Sequence, residues 1–169
     1  MPPYWSLISG VAEISFIIIS FDSRFVKHFF ENISEKFGNT VFEVIYLHFR
    51  RFLLIFLAGG VIYVCLEVLW RGRSHWSMFL AGGICLLLVG HLQEVQPRLP
   101  LPFRILAGVG IITMTELAFG LAVNRDFSVW DYRDAPGNWL GQICPGFMLL
   151  WLPLSWSALM LYDRLKERT

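Results

Sequence analysis

Four apolar runs, Phe52–Trp70, Ser77–Val95, Leu101–Asn124 and Leu140–Tyr162, constrain this chain more than any other feature. Each reaches the length at which a helix crosses a bilayer, about 20 residues. They are too long and too uniformly apolar for barrel strands, and an open sheet edge finds no hydrogen-bond partner in hydrocarbon. The expected fold class is therefore all-α, a polytopic transmembrane helix bundle with four clear spans. With 56% hydrophobic and 16% charged residues in 169, the composition suits lipid better than water. The connections between the runs are too short to fold alone, so residues 51–169 read as one transmembrane bundle. Residues 1–50 read as an N-terminal hydrophobic and amphipathic interfacial region.

Within that region, Tyr4–Phe21 is a candidate fifth hydrophobic helix. It carries four serines and Glu13, so it reads either as a span or as a helix lying at the membrane surface. No Lys or Arg precedes Arg24 and no small-residue cleavage site follows, which argues against a removed leader. From Asp22 to Arg51, aromatic and aliphatic residues recur three and four apart among charged ones. This predicts one or two amphipathic helices on the membrane surface, or a helix packed on the bundle.

Charge position says more than charge total, since Lys plus Arg number 14 and Asp plus Glu 13. That balance gives no electrostatic footprint for nucleic acid. Arg24, Lys27, Lys36, Arg50 and Arg51 precede the first clear span, Arg98 and Arg104 flank the second connection, and Arg164, Lys166 and Arg168 close the chain. With alternating spans these fall on one side, opposite Arg71, Arg73, Arg125 and Arg133. The positive-inside rule makes the richer side cytoplasmic, so a cell-membrane protein with a cytoplasmic C-terminus is expected. Most of the tryptophans fall near span ends, as an aromatic belt would have them.

Small residues mark where helices can meet. "FLAGG" occurs at Phe56–Gly60 and again at Phe79–Gly83, and the turn between the two spans brings both glycine pairs to similar depth. In lipid, where no hydrophobic push drives helices together, such residues permit close backbone packing. "AGVG" at Ala107–Gly110 reads as a similar device in the third span. Cys65, Cys85 and Cys144 lie in apolar segments without CxxC spacing and read as small packing residues.

Polar residues inside the runs carry the functional reading. An ionised side chain at mid-bilayer costs about 2.5–3.5 kcal/mol on insertion scales, so it needs a partner, a proton or a watery cavity. Glu67 lies one turn before the outer end of the first span, and Arg71, four residues on, shares its helix face and can pair with it. Glu116 lies about two turns below the outer end of the third span with no basic residue within a turn, which makes it the stronger candidate for a ligand-facing or protonatable group. With Asn124, Gln142, Trp130, Asp131, Tyr132 and Asn138, both glutamates are expected to converge on the outer half of the bundle. His75 and Trp76 stand at the interface. At the inner end His91 and Glu94 are three apart on one face with Arg98 a turn beyond, an arrangement read as interfacial hydrogen bonding and not as a metal site.

Neither a GxSxG elbow, an HExxH pair nor a GxxxxGK[ST] phosphate loop is present. No catalytic residue, metal or cofactor is assigned, and an energy source has to be a partner or a gradient.

"YVCLEVLWRGRSHWSMFLAGG", "TELAFGLAVN" and "VWDYRDAPGNWLGQICPGFMLLW", spread over Gly59–Tyr162, resemble the ABC-transporter type IV family of small integral membrane proteins, also described as ABC transporter permeases. Related vertebrate transmembrane proteins share the WDY signature. The run WDY, then Asn138, then GQIC carries the resemblance. Arg133 stands where Ser usually follows WDY, and Pro145-Gly146 follow the Cys in place of a Leu-Pro-like pair. The resemblance implies that Glu67, Arg71, Gly72, His75, Trp76, Glu116, Asn124, Trp130, Asp131, Tyr132, Asn138, Gly141 and Gln142 are the polar and turn residues to carry over. It implies a transport role with a separate ATPase or another membrane subunit as partner. On the basic side only "VQPRLPLP" connects clear spans, leaving the N-terminal region to dock such an ATPase.

The function expected is a transporter or transporter subunit that binds a small polar solute or lipid headgroup in an outward-facing polar cavity. Glu116, Glu67 and Gln142 would coordinate the ligand, Arg71 would balance charge, and Trp130-Asp131-Tyr132 would cover the site. One alternative is a membrane-embedded enzyme acting on a lipid-linked substrate, with Glu67, Glu116, Asp131 and His75 as general acid and base. Another is a noncatalytic assembly or sensing subunit whose polar residues lock helices together.

Overall fold

The computed structural model describes residues 39–168, and the candidate helix at Tyr4–Phe21 and the amphipathic stretch as far as 38 lie outside them. The chain divides into two compact units, 1–51 and 52–169. Among the described residues three long helices come first: α1 (Asn39–Arg71), α2 (Trp76–Val95) and α3 (Leu101–Val123). A short α4 (Pro145–Met148) and a final α5 (Trp151–Arg168) follow. Among the described residues four segments are long and apolar enough to cross a membrane: Glu43–Arg71, Trp76–Val95, Leu101–Val123 and Pro145–Glu167.

Two boundaries differ from the sequence expectation. α1 begins at Asn39, so the later part of the amphipathic stretch and the first span form one uninterrupted helix. No Gly or Pro falls between Asn39 and Gly59 to stop it. The fourth span begins at Pro145 and not at Leu140, because Leu140 (φ 56°) and Gly141 (φ 64°) adopt left-handed backbone that a helix cannot contain. Pro145 then supplies the fixed φ favoured at a helix start. The helix breaks again at Leu149–Leu150, just ahead of Pro153, which has no N–H to give to the preceding turn.

Large apolar side chains stay exposed on the long helices, among them Leu69, Leu88, Met114 and Leu121. That is the pattern of helices whose outer surface meets lipid. Inside, the helices meet through small residues. A Cβ on Gly59 would lie 2.6 Å from the Gly82 carbonyl oxygen, and one on Gly82 would lie 2.6 Å from the Gly59 carbonyl oxygen. The repeated "FLAGG" thus packs on itself in antiparallel sense, with Phe56 and Phe79 edge to face at 5.9 Å. In "AGVG", Gly108 seats Ser155 whereas Gly110 faces open space.

At the end carrying α2's C-terminus, one buried amide ties three helices. Gln93 of α2 donates to the Leu159 carbonyl and to Asp163 of α5, both at 2.9 Å, and accepts from Arg104 of α3 at 2.8 Å. Nearby, Glu94 accepts from the Tyr162 hydroxyl (2.9 Å) and pairs with Lys166 (3.2 Å), while His91 and Arg98 stay exposed. At the opposite end, residues 124–144 fold over the bundle and form the site described next.

Candidate functional site

Asn124 organises the covering loop from the last turn of α3. Its side chain is fully buried, donates to the Trp130 carbonyl (2.6 Å) and to the Gln142 side-chain oxygen (3.0 Å), and accepts from the Val129 N–H (2.9 Å). Gln142 returns a bond from Nε2 to the Asn124 carbonyl (3.0 Å). These two amides bind backbone and each other, as the hydrogen-bonding requirement of a buried polar group demands. Gly120 makes room for the pair, because a Cβ there would lie 2.5 Å from Gln142 Oε1.

The rest of the loop hangs from this clamp. Trp130 packs against Met78, Ala81 and Val129 and donates its indole N–H to the Gln142 carbonyl (2.9 Å). Asn138 donates to the Arg133 and Ala135 carbonyls, each at 2.9 Å, and accepts from the Gly141 N–H (3.1 Å), closing the turn that reverses the chain. Asp131 pairs with Arg133 through both carboxylate oxygens, and Arg133 lies 4.3 Å over the Phe127 ring. The bond from the Arg133 guanidinium holds the Asp131 carboxyl below the usual carboxylate range.

Beneath the loop lies a cavity of about 730 Å³, walled by α1, α2, α3, α5 and the loop. Six of the ten sequence-predicted site residues line it: Glu67, Arg71, Glu116, Trp130, Asp131 and Tyr132. The remaining four do not. Asn124, Gln142 and Asn138 are engaged as above. His75 caps α2, accepting from the Ser77 N–H (3.3 Å), and packs against Trp76.

The two glutamates differ in what surrounds them. Glu67 is 8% exposed and pairs with Arg71, which also donates to the Val129 carbonyl (2.8 Å) and so ties α1 to the loop. Ser74 donates to the second Glu67 oxygen (2.7 Å). Glu116 accepts one well-formed bond, from the Tyr132 hydroxyl at 2.9 Å, the Trp151 indole N–H approaches it outside normal hydrogen-bond geometry, and among the described residues no basic side chain forms an ion pair with it. Tyr132 is stacked on Phe147 at 4.6 Å. Burial, and then the Glu116 carboxylate, push the Tyr132 phenol far up, so it stays a donor.

The sequence reading missed several lining residues. Tyr63 stands one turn before Glu67 on α1, and that i, i+4 spacing to a known suspect is a signal that could have found it. Thr115 and Trp151 also line the cavity, and the Trp151 indole N–H is buried without a hydrogen-bond partner among the described residues. Trp151 reads as one more belt residue in the sequence. Among the described residues no three His, Cys, Asp or Glu side chains are placed to hold a metal ion.

No curated protein, vertebrate or otherwise, and no solved structure matches the chain. A family model described as "Putative ABC-transporter type IV" matches residues 51–168. That span holds α2 to α5, the covering loop and every residue of the cavity. With four helices fit to cross a bilayer and most of its length inside this match, the chain is a multi-pass membrane protein that belongs to the ABC-transporter type IV family.

Proposed function

We propose that this protein is a transporter or transporter subunit that binds a small polar solute or a lipid headgroup in the cavity beneath the 124–144 loop. The observation that carries the reading is Glu116. It is a carboxylate within a membrane-crossing helix, it lines a large cavity, and its one well-formed hydrogen bond is from a phenol, with the Trp151 indole N–H approaching it. An acidic group there is costly by about 2.5–3.5 kcal/mol unless something compensates it. A bound ligand, with water when the ligand leaves, is the compensation the cavity offers.

Glu116 would contact the ligand directly, Tyr132 would orient it, and the Glu67–Arg71 pair would form a charged rim anchored to the loop. Asn124 and Gln142 would hold the loop and not the ligand, which moves Gln142 from the coordinating role expected of it to a supporting one. Binding is favoured over catalysis on the same geometry. Of the four acid and base candidates, His75 caps a helix away from the cavity, Asp131 is paired to Arg133, and Glu67 is occupied by Arg71 and Ser74. The concentration of basic residues at the far end supports an outward orientation of the cavity, with the C-terminus in the cytoplasm. The family supports a separate ATPase or other membrane subunit as partner.

Native mass spectrometry of the full chain, released from lipid nanodiscs drawn from its own membrane, tests this. A bound small molecule or lipid adduct is expected on the wild type and lost in Glu116→Gln at unchanged helicity. An adduct that survives the substitution, or no adduct on either protein, overturns the reading.

A further inference from the structure

A second space adjoins the cavity. A narrower cleft of about 90 Å³ runs on toward the middle of the bundle between α1 and α5, with α2 behind it. Tyr63, Leu66, Cys85, Ile112 and Leu154 line both spaces, so cavity and cleft adjoin along a shared wall. The deeper part is apolar, with Ile62 on α1 and Ala158 and Leu161 on α5. Its one hydroxyl, on Ser157, is already bonded to the Pro153 carbonyl at 2.8 Å. From Leu154 to Leu161 the cleft follows seven residues of α5, about 10 Å of helix. Its apolar lining suits a hydrocarbon chain and offers a polar head no free partner.

The upper part has the opposite character, and its charges do not cancel inside. Arg71 is paired to Glu67, and Asp131 is paired to Arg133. Arg73 and Asp134 lie exposed on the lining, one charge of each sign. Glu116 is left as the unmatched charge, and Tyr63, Trp70, Tyr132 and Trp151 stand around the same space. Aromatic faces attract cations, best of all ammonium groups whose water has been removed. An anion would meet the Glu116 carboxylate and ring faces, and Arg71 on the same lining is already paired to Glu67.

Resting on the cavity as the binding site, we propose that the ligand is an amphipathic cation that enters from the bilayer, its ammonium head at Glu116 and its hydrocarbon chain in the cleft between α1 and α5. Polar cavity, aromatic collar and apolar cleft then correspond in order to the head, the neck and the tail of one molecule.

The test uses the full chain in phosphatidylglycerol nanodiscs, which contain no ammonium lipid. The probe is a hexadecyltrimethylammonium carrying a photoreactive diazirine at mid-chain, with labelled residues mapped by peptide mass spectrometry. Label is expected on Ala158 and Leu161, competed by excess hexadecyltrimethylammonium and not by hexadecyl sulfate. Glu116→Gln should cut it about tenfold, as loss of one charge contact would. Glu116→Asp, which keeps the carboxylate, should retain most of it and controls for folding. Equal label on the outward-facing Leu69, Met114 and Leu121 would mean ordinary lipid contact and overturn the proposal. Equal competition by the sulfate, indifference to Glu116→Gln, or cross-links showing the cleft filled by a second copy or by residues 1–38 would overturn it too. The adduct measurement separates the two levels. An adduct that depends on Glu116 but is anionic or lacks a chain sinks the amphipathic cation and leaves the cavity as the site, whereas no adduct at all sinks both.

Discussion

The two ends of the bundle are built from similar polar residues put to different use. At the end holding Gln93 the polar groups close on protein, with the Arg104 Nε alone of them buried without a partner among the described residues: the amide meets Leu159, Asp163 and Arg104, and Glu94 meets Tyr162 and Lys166. At the loop end the amides close in the same way, Asn124 and Gln142 on backbone and on each other, yet Glu116 has one well-formed bond, from a phenol, and faces a cavity of about 730 Å³. The difference shows that a polar group inside a span marks a site only where the surrounding protein leaves part of its bonding capacity unused beside open space. Burial and chemical type alone do not separate the two cases, since Gln93 and Gln142 are equally amides and are 7% and 3% exposed.

The comparison can be broken most forcefully at Asn124. Asn124→Ala leaves the Val129 N–H, the Trp130 carbonyl and the Gln142 amide without their partner, each worth about 1–3 kcal/mol when buried. A loss of about 3 kcal/mol or more is expected, read as a large fall in Tm in detergent or lipid, with the loop opened to protease. A Tm within a degree or two of wild type would show that the loop is held by something else.

Gln93→Leu probes the other end and should cost less, about 1–2 kcal/mol, because its partners lie near the membrane surface, where water can replace the amide. It should leave any ligand binding at the loop end unchanged. A binding defect from Gln93→Leu would join the two ends functionally and dissolve the distinction drawn between them.

The smallest effect belongs to Asp131→Asn. The Asp131 carboxyl is exposed and held below the usual carboxylate range by Arg133. A depressed carboxyl stabilises the fold above its unfolded value, about 3.9, and that contribution is lost as pH falls through the lowered folded value. Asp131→Asn should therefore lower Tm slightly at neutral pH, less so in high salt, and not at all in strong acid. A gap between the two proteins that widened with acid would contradict the assignment.

Much of this arrangement was legible in the residues. The four spans follow from run length and apolar uniformity, and the antiparallel "FLAGG" contact follows from two glycine pairs at matching depth. The Glu67–Arg71 pair follows from i, i+4 spacing, and Glu116 stood apart because nothing basic lay within a turn of it. What escaped was tertiary. Whether Gln142 faces a ligand or Asn124 depends on Gly120 opening a slot 22 residues away in sequence, which helical period does not encode. Gln93 gave no warning, since a lone amide near a span end is ordinary until three helices converge on it. The late start of the fourth span turned on left-handed backbone at Leu140, a residue that rarely takes it.

The central claim, that Glu116 faces a hydrated cavity and not lipid, is tested most directly by its two preceding neighbours on α3. Thr115 lines the cavity and Met114, 62% exposed, points away from it. With Cys65, Cys85 and Cys144 replaced by serine, the measurement is the labelling rate of Thr115→Cys and Met114→Cys by a membrane-impermeant methanethiosulfonate in lipid vesicles. The structure predicts that Thr115→Cys reacts from the aqueous side while Met114→Cys stays unmodified, and reaction at Met114→Cys with Thr115→Cys protected would contradict it.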